Sequence, residues 1–383
     1  MQQVHAFQGA RIFDGMSFQD DAALCVHDGK VVRICATADL PEGAEVTDLG
    51  GGILAPGFVD LQVNGGGGVM FNSAPALETL KTIAEAHASI GATSILPTLI
   101  TDTRETTAAA IQAVQQAISE GVPGIAGLHL EGPHLSVARK GAHDADLIRP
   151  MEPADLESLL AAAKSLPVLK VTVAPESVKP EQIRALSAAG ILVSLGHTDS
   201  RFADCQEAVA AGARCVTHLF NAQSQLGNRE PGVVGAALQL GDLSAGLIAD
   251  GIHVHPATMA SAIRAKQGPG HIFLVSDAMA TAGSTITDFL LNGRKIERRD
   301  NRLTLQDGTL AGAHLDLTTA IRNLVHLCGI PLETALAMAT SGPAALIGRS
   351  EQIGTLRHGA NADFVHLSSD LELRSVFRAG LPG

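Results

Sequence analysis

The chain has 383 residues, 46% of them hydrophobic and 17% charged, a formal net charge of −12, and neither Trp nor Tyr. That composition supports a large buried core and is not that of a disordered chain. The acidic balance argues against non-specific binding to nucleic acid or an anionic membrane, the missing rings argue against a base-stacking platform, and no apolar run approaches the ~18 residues of a membrane span. An anionic substrate would need a local basic pocket. The five cysteines, Cys25, Cys35, Cys205, Cys215 and Cys328, are odd in number and lack CxxC spacing. Neither a disulfide framework nor a cysteine zinc site is therefore expected, and a reducing cytoplasm fits. The start, MQQVHAFQGARIFDG, lacks the basic segment and apolar stretch of a secretory signal.

The first 56 residues read as short strands. ALCVHDGKVVRI is a hairpin with Asp28-Gly29 at its turn. The tail, GTLRHGANADFVHLSSDLELRSVFRAG, has the same texture, so residues 1–56 and 355–383 are expected to form one small β-sandwich domain. Between them, over 57–354, short β-rich runs alternate with Ala-rich stretches of helical spacing such as ALETLKTIAEAHASIG and DSRFADCQEAVAAG, which end in Gly. The candidate strands are FVDLQVN (58–64), TSILPT (93–98), GIAGLHLE (124–131), LKVTVAPE (169–176), ILVSLGH (191–197), CVTHLF (215–220), AGLIAD (245–250) and IFLVSD (272–277). Eight such units predict an α/β fold, a TIM-like (β/α)8 barrel. A doubly wound open sheet is the alternative, but no GxGxxG follows the first strand.

Polar residues collect where these strands end: Asn64, Glu131, His197, His218, Asp250 and Asp277. In a barrel those ends form the active-site face. Asp60, Gln62 and Asn64 share one face of the first strand, and the glycines at 65–68 would let the backbone turn sharply and approach a ligand, or would simply form a flexible loop. Glu131 in LHLEGPH, His197 in SLGHT and His218 in THLFNA match a Glu/His/His metal set that leaves a position open for water. Either histidine alone would more often be structural; the three together favour a metal. Asp277 in LVSDAM could take a proton from a metal-bound water and pass it to a leaving group; in isolation it reads equally as a helix N-cap.

Strand-end histidines, Asp277 on the last strand and the GxxxxGxxADFV tail resemble the amidohydrolase superfamily. LHLEGPH, KGAH, SLGHT, THLFNAQ, NREPG, DGIHV and VSDA together resemble its N-acetylglucosamine-6-phosphate deacetylase family, nearly end to end. The resemblance implies hydrolysis of the N-acetyl group of an amino-sugar phosphate to glucosamine 6-phosphate and acetate, in a homodimer. It implies that Glu131, His197 and His218 hold one divalent ion, zinc first, with Fe(II), Mn or Co as alternatives. Many amidohydrolases carry HxH where this chain has Gln62-Val63-Asn64; amides are poor zinc ligands, so this second-metal position is expected to be vacant. The resemblance also implies that His143 lies over the acetamide carbonyl, that Asn221, Ala222, Arg229 and His253 contact the phosphate, and that Leu310, Ala311 and Gly312 close over the sugar. Taken alone, His143 reads as a loop histidine and Arg229 as half of a surface ion pair. A mononuclear hydrolase of another N-acyl or cyclic amide, or a non-catalytic sugar-phosphate binder, stays open beside this reading.

Overall fold

The computed structural model describes residues 4–382. Eight parallel strands follow one another around a barrel in chain order: β1 (Phe58–Val63), β2 (Ala92–Ile100), β3 (Leu128–Glu131), β4 (Leu169–Val173), β5 (Leu192–Leu195), β6 (Cys215–Val216), β7 (Ser244–Leu247) and β8 (Ile272–Leu274). Each lies within or overlaps the run expected from the sequence, and the open-sheet alternative is set aside. Helices cover the outside with their apolar stripes turned inward. The helix Leu77–Ser89 buries Leu80, Ile83 and Ala84, and Phe202–Ala211 ends at Gly212, whose φ of 116° is a left-handed stop. Among the described residues no helix is long and apolar enough to cross a membrane.

β1 and β8 share no regular ladder. Their seam is closed by Asp277 N–H to Gln62 O at 3.1 Å, by Asn64 N–H to Ala278 O at 2.8 Å, and by the Asp60 carboxylate, which accepts from Ser276 N–H at 3.1 Å. The glycine run extends this seam. Gly65, Gly67 and Gly68 donate to the carbonyls of Ala278, Ala282 and Ala280 at 3.2, 2.8 and 2.9 Å. A Cβ on Gly65 would sit 2.4 Å from Val69 O, and one on Gly66 would sit 2.9 Å from the His87 ring. The glycines are thus required by packing under the helix Leu77–Ser89 and against the exit of β8. None of the four lines the cavity at the strand ends.

The small domain uses both chain ends. One sheet runs in spatial order Lys30–Ala36, Ala22–His27, His5–Gln8 and Glu45–Asp48. The other runs Leu381–Pro382, Leu373–Arg378, Phe364–Leu367, Ile53–Pro56, Arg11–Phe13 and Phe18–Gln19. Phe7, Phe364 and Phe377 meet between them with ring centroids 4.6–5.1 Å apart. The hairpin expected at Asp28-Gly29 is present, with both residues at positive φ (51° and 69°). One unit was not foreseen: a three-stranded antiparallel insert after β8, Asp288–Leu291, Arg294–Arg299 and Arg302–Thr304. Its signal was the Asn292-Gly293 pair, which forms the first turn at φ 48° and 74°.

His87 holds the glycine run from above, its Nε2–H donating to Gly65 O at 2.9 Å. Burial pushes its pKa down to about 4. A histidine depressed in the folded state contributes stability above its unfolded pKa near 6.5, and that stability is lost as pH falls toward 4. Urea unfolding of metal-free protein should therefore show a loss of about 3 kcal/mol between pH 7 and 4 from this group. His87→Gln, which keeps a donor but cannot charge, should remove most of that slope.

Candidate functional site

The strand ends converge on a cavity of about 390 Å³ lined by Asn64, Glu131, His143, His197, His218, Asn221, Ala222, His253, Asp277, Leu310 and Gly312 among others. Glu131 closes β3, while His197, His218 and Asp277 lie just past β5, β6 and β8. These last three adopt left-handed backbone, with φ of 47°, 27° and 52°. Such strain in non-glycine residues costs about 1–3 kcal/mol each and persists only where the surroundings impose it.

Three atoms form the tightest group. Glu131 Oε1 lies 3.2 Å from His197 Nε2 and 3.0 Å from His218 Nε2, and the two Nε2 atoms are 3.0 Å apart. Ligands of one ion bound at about 2.1 Å can be no more than about 4.2 Å apart, and adjacent ones sit near 3.0–3.4 Å. The triangle meets that condition with one carboxylate and two imidazoles, a donor set that suits a divalent ion. Glu131, His143 and His197 also bring ligand atoms within 4.8 Å of one another, so His143 stands beside the same cluster.

Burial would raise the Glu131 carboxyl, but the bonds from His197 and His218 outweigh it and hold it well below the usual range. For His218, burial opposes charge and Glu131 wins, so its pKa rises. Asp277 faces the triangle across the cavity and is raised, chiefly by burial. His143 is pushed well below its usual value by burial and then by His197, so its ring is neutral. Its Nδ1 meets Thr101 Oγ1 at 2.7 Å and the Thr101 N–H at 3.4 Å. An Nδ1 facing a backbone N–H must be the acceptor, which leaves the proton on Nε2.

Gln62 and Asn64, at the expected vacant second-metal position, both donate to carboxylates of the site. Gln62 Nε2 donates to both oxygens of Glu131 (3.3 and 3.2 Å) and to Asp277 Oδ1 (3.1 Å). Asn64 Nδ2 donates to the same Asp277 oxygen at 2.8 Å. Turning either amide over would set its oxygen against a carboxylate, so the orientation is fixed by charge. The amide oxygens have no partner among the described residues. Gln62 thus links the two carboxylates directly, and Asn64 adds a second donor to Asp277.

His253 is held by Asp250, with Nδ1 2.6 Å from Oδ2. Two expected contacts are not brought to the cavity. Ala311 is buried in an apolar cluster with Met70, Met279 and Leu291. Arg229 is exposed on the loop after β6 and has no ion-pair partner among the described residues, so it is not half of an intramolecular surface pair either. Sequence reasoning missed Arg139, which lines the cavity and whose carbonyl meets His197 Nδ1 at 2.9 Å. The Arg-Lys pair just before Gly141 was its signal. It also missed Met279 and Leu291, apolar wall residues that no motif distinguishes.

Residues 53–381 match the Amidohydrolase family and residues 4–54 the NagA composite domain. The chain is 42% identical to an N-acetylgalactosamine-6-phosphate deacetylase of Shewanella sp. (strain ANA-3), over 97% of this chain and 94% of that protein. It is 33% identical to the N-acetylglucosamine-6-phosphate deacetylase of Haemophilus influenzae, over 90% of each. Its structure is similar to that of N-acetylglucosamine-6-phosphate deacetylase from Pasteurella multocida, with a TM-score of 0.95, 34% identity and 99% of both chains covered.

Gln62→Leu would strip Glu131 and Asp277 of their shared donor. Hydrogen bonds to charged groups are worth about 1.5–3 kcal/mol, and a loss of that order is expected in chelator-treated protein by urea unfolding at neutral pH.

Proposed function

The chain belongs to the amidohydrolase family, and from that premise we propose that it hydrolyses the N-acetyl group of N-acetylglucosamine 6-phosphate to glucosamine 6-phosphate and acetate. The observation that carries the proposal is the 3.0–3.2 Å triangle of Glu131, His197 and His218 facing a tethered Asp277 at the bottom of one cavity. Those three residues would hold one divalent ion, which when bound supplies Lewis acidity and a water acidic enough to ionise near neutral pH. Zinc suits the donor set best; Fe(II), Mn and Co suit it too.

The chain's own groups do the rest. Both amide donors go to Asp277 Oδ1, so Oδ2 is left to accept a proton from the attacking water and return it to the departing amine. Burial strengthens Asp277 as a base. The His143 Nε2–H donates to the acetamide oxygen as negative charge grows there. His253, fixed through Nδ1 by Asp250, offers its other ring nitrogen to the phosphate, and Asn221 and Ala222 add donors. Arg229, exposed in this chain, would reach a neighbour's cavity in a homodimer and meet the phosphate there. Contacts so far from the reacting bond work by positioning.

A second reading is N-acetylgalactosamine 6-phosphate, favoured by the name of the relative that is 42% identical. Acetate release should be measured from both phosphosugars and from unphosphorylated N-acetylglucosamine, with metal counted in the same sample. Release from N-acetylglucosamine 6-phosphate and about one metal per chain are expected. Faster turnover of the galacto epimer selects the second reading; equal turnover of the unphosphorylated sugar removes the phosphate contacts. Asp277→Asn should lower kcat by about 10²–10⁴-fold while metal content is retained, and near-normal turnover would remove Asp277 as the base.

A further inference from the structure

One layer beneath the triangle, polar side chains join five strands. Thr98 Oγ1 accepts from Val63 N–H at 3.0 Å and donates to Leu96 O at 3.1 Å. It lies 3.1 Å from His129 Nδ1, whose Nε2 is 2.7 Å from Thr172 Oγ1. Thr172 Oγ1 is 2.7 Å from Thr217 Oγ1, which is 2.6 Å from Ser194 Oγ. All five side chains are buried. Since the Thr98 hydroxyl is spent on Leu96 O, one consistent direction runs through the belt: His129 donates from Nδ1 to Thr98 and accepts at Nε2 from Thr172, which accepts from Thr217, which accepts from Ser194.

The two histidines of the triangle are not held alike. A ligating imidazole is normally oriented by a partner on its other nitrogen. His197 has one, with Nδ1 2.9 Å from Arg139 O. His218 has none: its Nδ1 is buried and unpartnered among the described residues. Its backbone is also strained, at φ 27°. The preceding residue, Thr217, is gripped by Thr172 and Ser194 through its hydroxyl and by the Gln223 amide through its carbonyl, while the His218 carbonyl accepts from Asn221 N–H and from the same Gln223 amide. At its other end the belt holds His129, two residues before Glu131.

We propose that Thr172 and Thr217 are positioning residues that hold His218 against Glu131, and so set the affinity of the metal site. The proposal rests on the reading that Glu131, His197 and His218 hold a divalent ion. The test is a Zn²⁺ dissociation constant, by competition with a chromophoric chelator, for wild type, Thr172→Val and Thr172→Ser, with melting temperatures of the metal-free proteins beside it. Thr172→Val keeps the volume and cuts the belt between His129 and Thr217; Thr172→Ser keeps the hydroxyl. Outer partners of metal ligands are worth about 10–100-fold in affinity, so the constant should rise about 10-fold or more in Thr172→Val and stay near wild type in Thr172→Ser. A constant within twofold of wild type in Thr172→Val overturns the proposal even if the melting temperature falls, because a merely structural role predicts that pattern. So does a rise that serine fails to rescue. Wild-type protein that takes up no Zn²⁺ overturns the metal reading itself, and is recognised before any variant is compared.

Discussion

The site depends on keeping two carboxylates, Glu131 and Asp277, buried within reach of one another. Like charges in a low-dielectric pocket repel, and burial penalises each of them separately. The Gln62 amide touches both, and Asn64 adds a second donor to Asp277. Amide dipoles offer less compensation than a cation would, but they stay in place when a divalent ion leaves. The division of labour follows. Glu131 is drawn toward the two imidazoles and held ionised, whereas Asp277 is drawn toward the amides and keeps a raised pKa. One carboxylate suits binding, the other proton transfer, and the difference lies in their neighbours.

The same strand that carries the amides closes the barrel. Asp60 clasps Ser276, Gln62 O receives Asp277 N–H, and the glycine run beyond Asn64 is bonded to the chain leaving β8. Asp277 thus stands on the one seam that lacks a regular ladder, where its position is set by side chains and single bonds. Burial raises Asp60 to about 7; one residue on, the carbonyl of Leu61 lies 3.5 Å from the equally buried Lys170. The barrel interior below the site is therefore polar, unlike the layers of branched aliphatic residues typical of such barrels, and hydroxyls and an imidazole hold its strands together.

Much of this was legible in the sequence because it depends on local pattern. The strands are short, mostly apolar runs, six of which carry a polar residue at or near the end that the sequence analysis picks out, and that pattern made Glu131, His197, His218 and Asp277 candidates. The glycines were legible as glycines but not in their purpose, since the need for bare backbone comes from Met70, His87 and Ala280, which only the fold brings near. The role of Gln62 was hidden for the same reason: an amide's partners lie on other strands. The burial of Ala311 away from the cavity was not legible, because position in a motif says nothing about which way a small side chain faces. Arg229 lies outside the cavity of its own chain, a placement that no single sequence reveals.

The small domain has a consequence for how the chain is made. Its central strand, Ile53–Pro56, pairs on one side with Arg11–Phe13 and on the other with Phe364–Leu367, about 310 residues later. At ~5–20 residues per second, a ribosome needs roughly 15 to 60 s to make the intervening chain. Throughout that interval a fully apolar strand edge has been synthesised and its partner has not. Such an edge is a template for pairing with the wrong chain. Barrel units emerging in order can fold against their neighbours, but the small domain must wait for Phe364–Leu367. The period of greatest exposure to mispairing therefore falls before that strand leaves the ribosome, and it is set by the order of the strands along the chain.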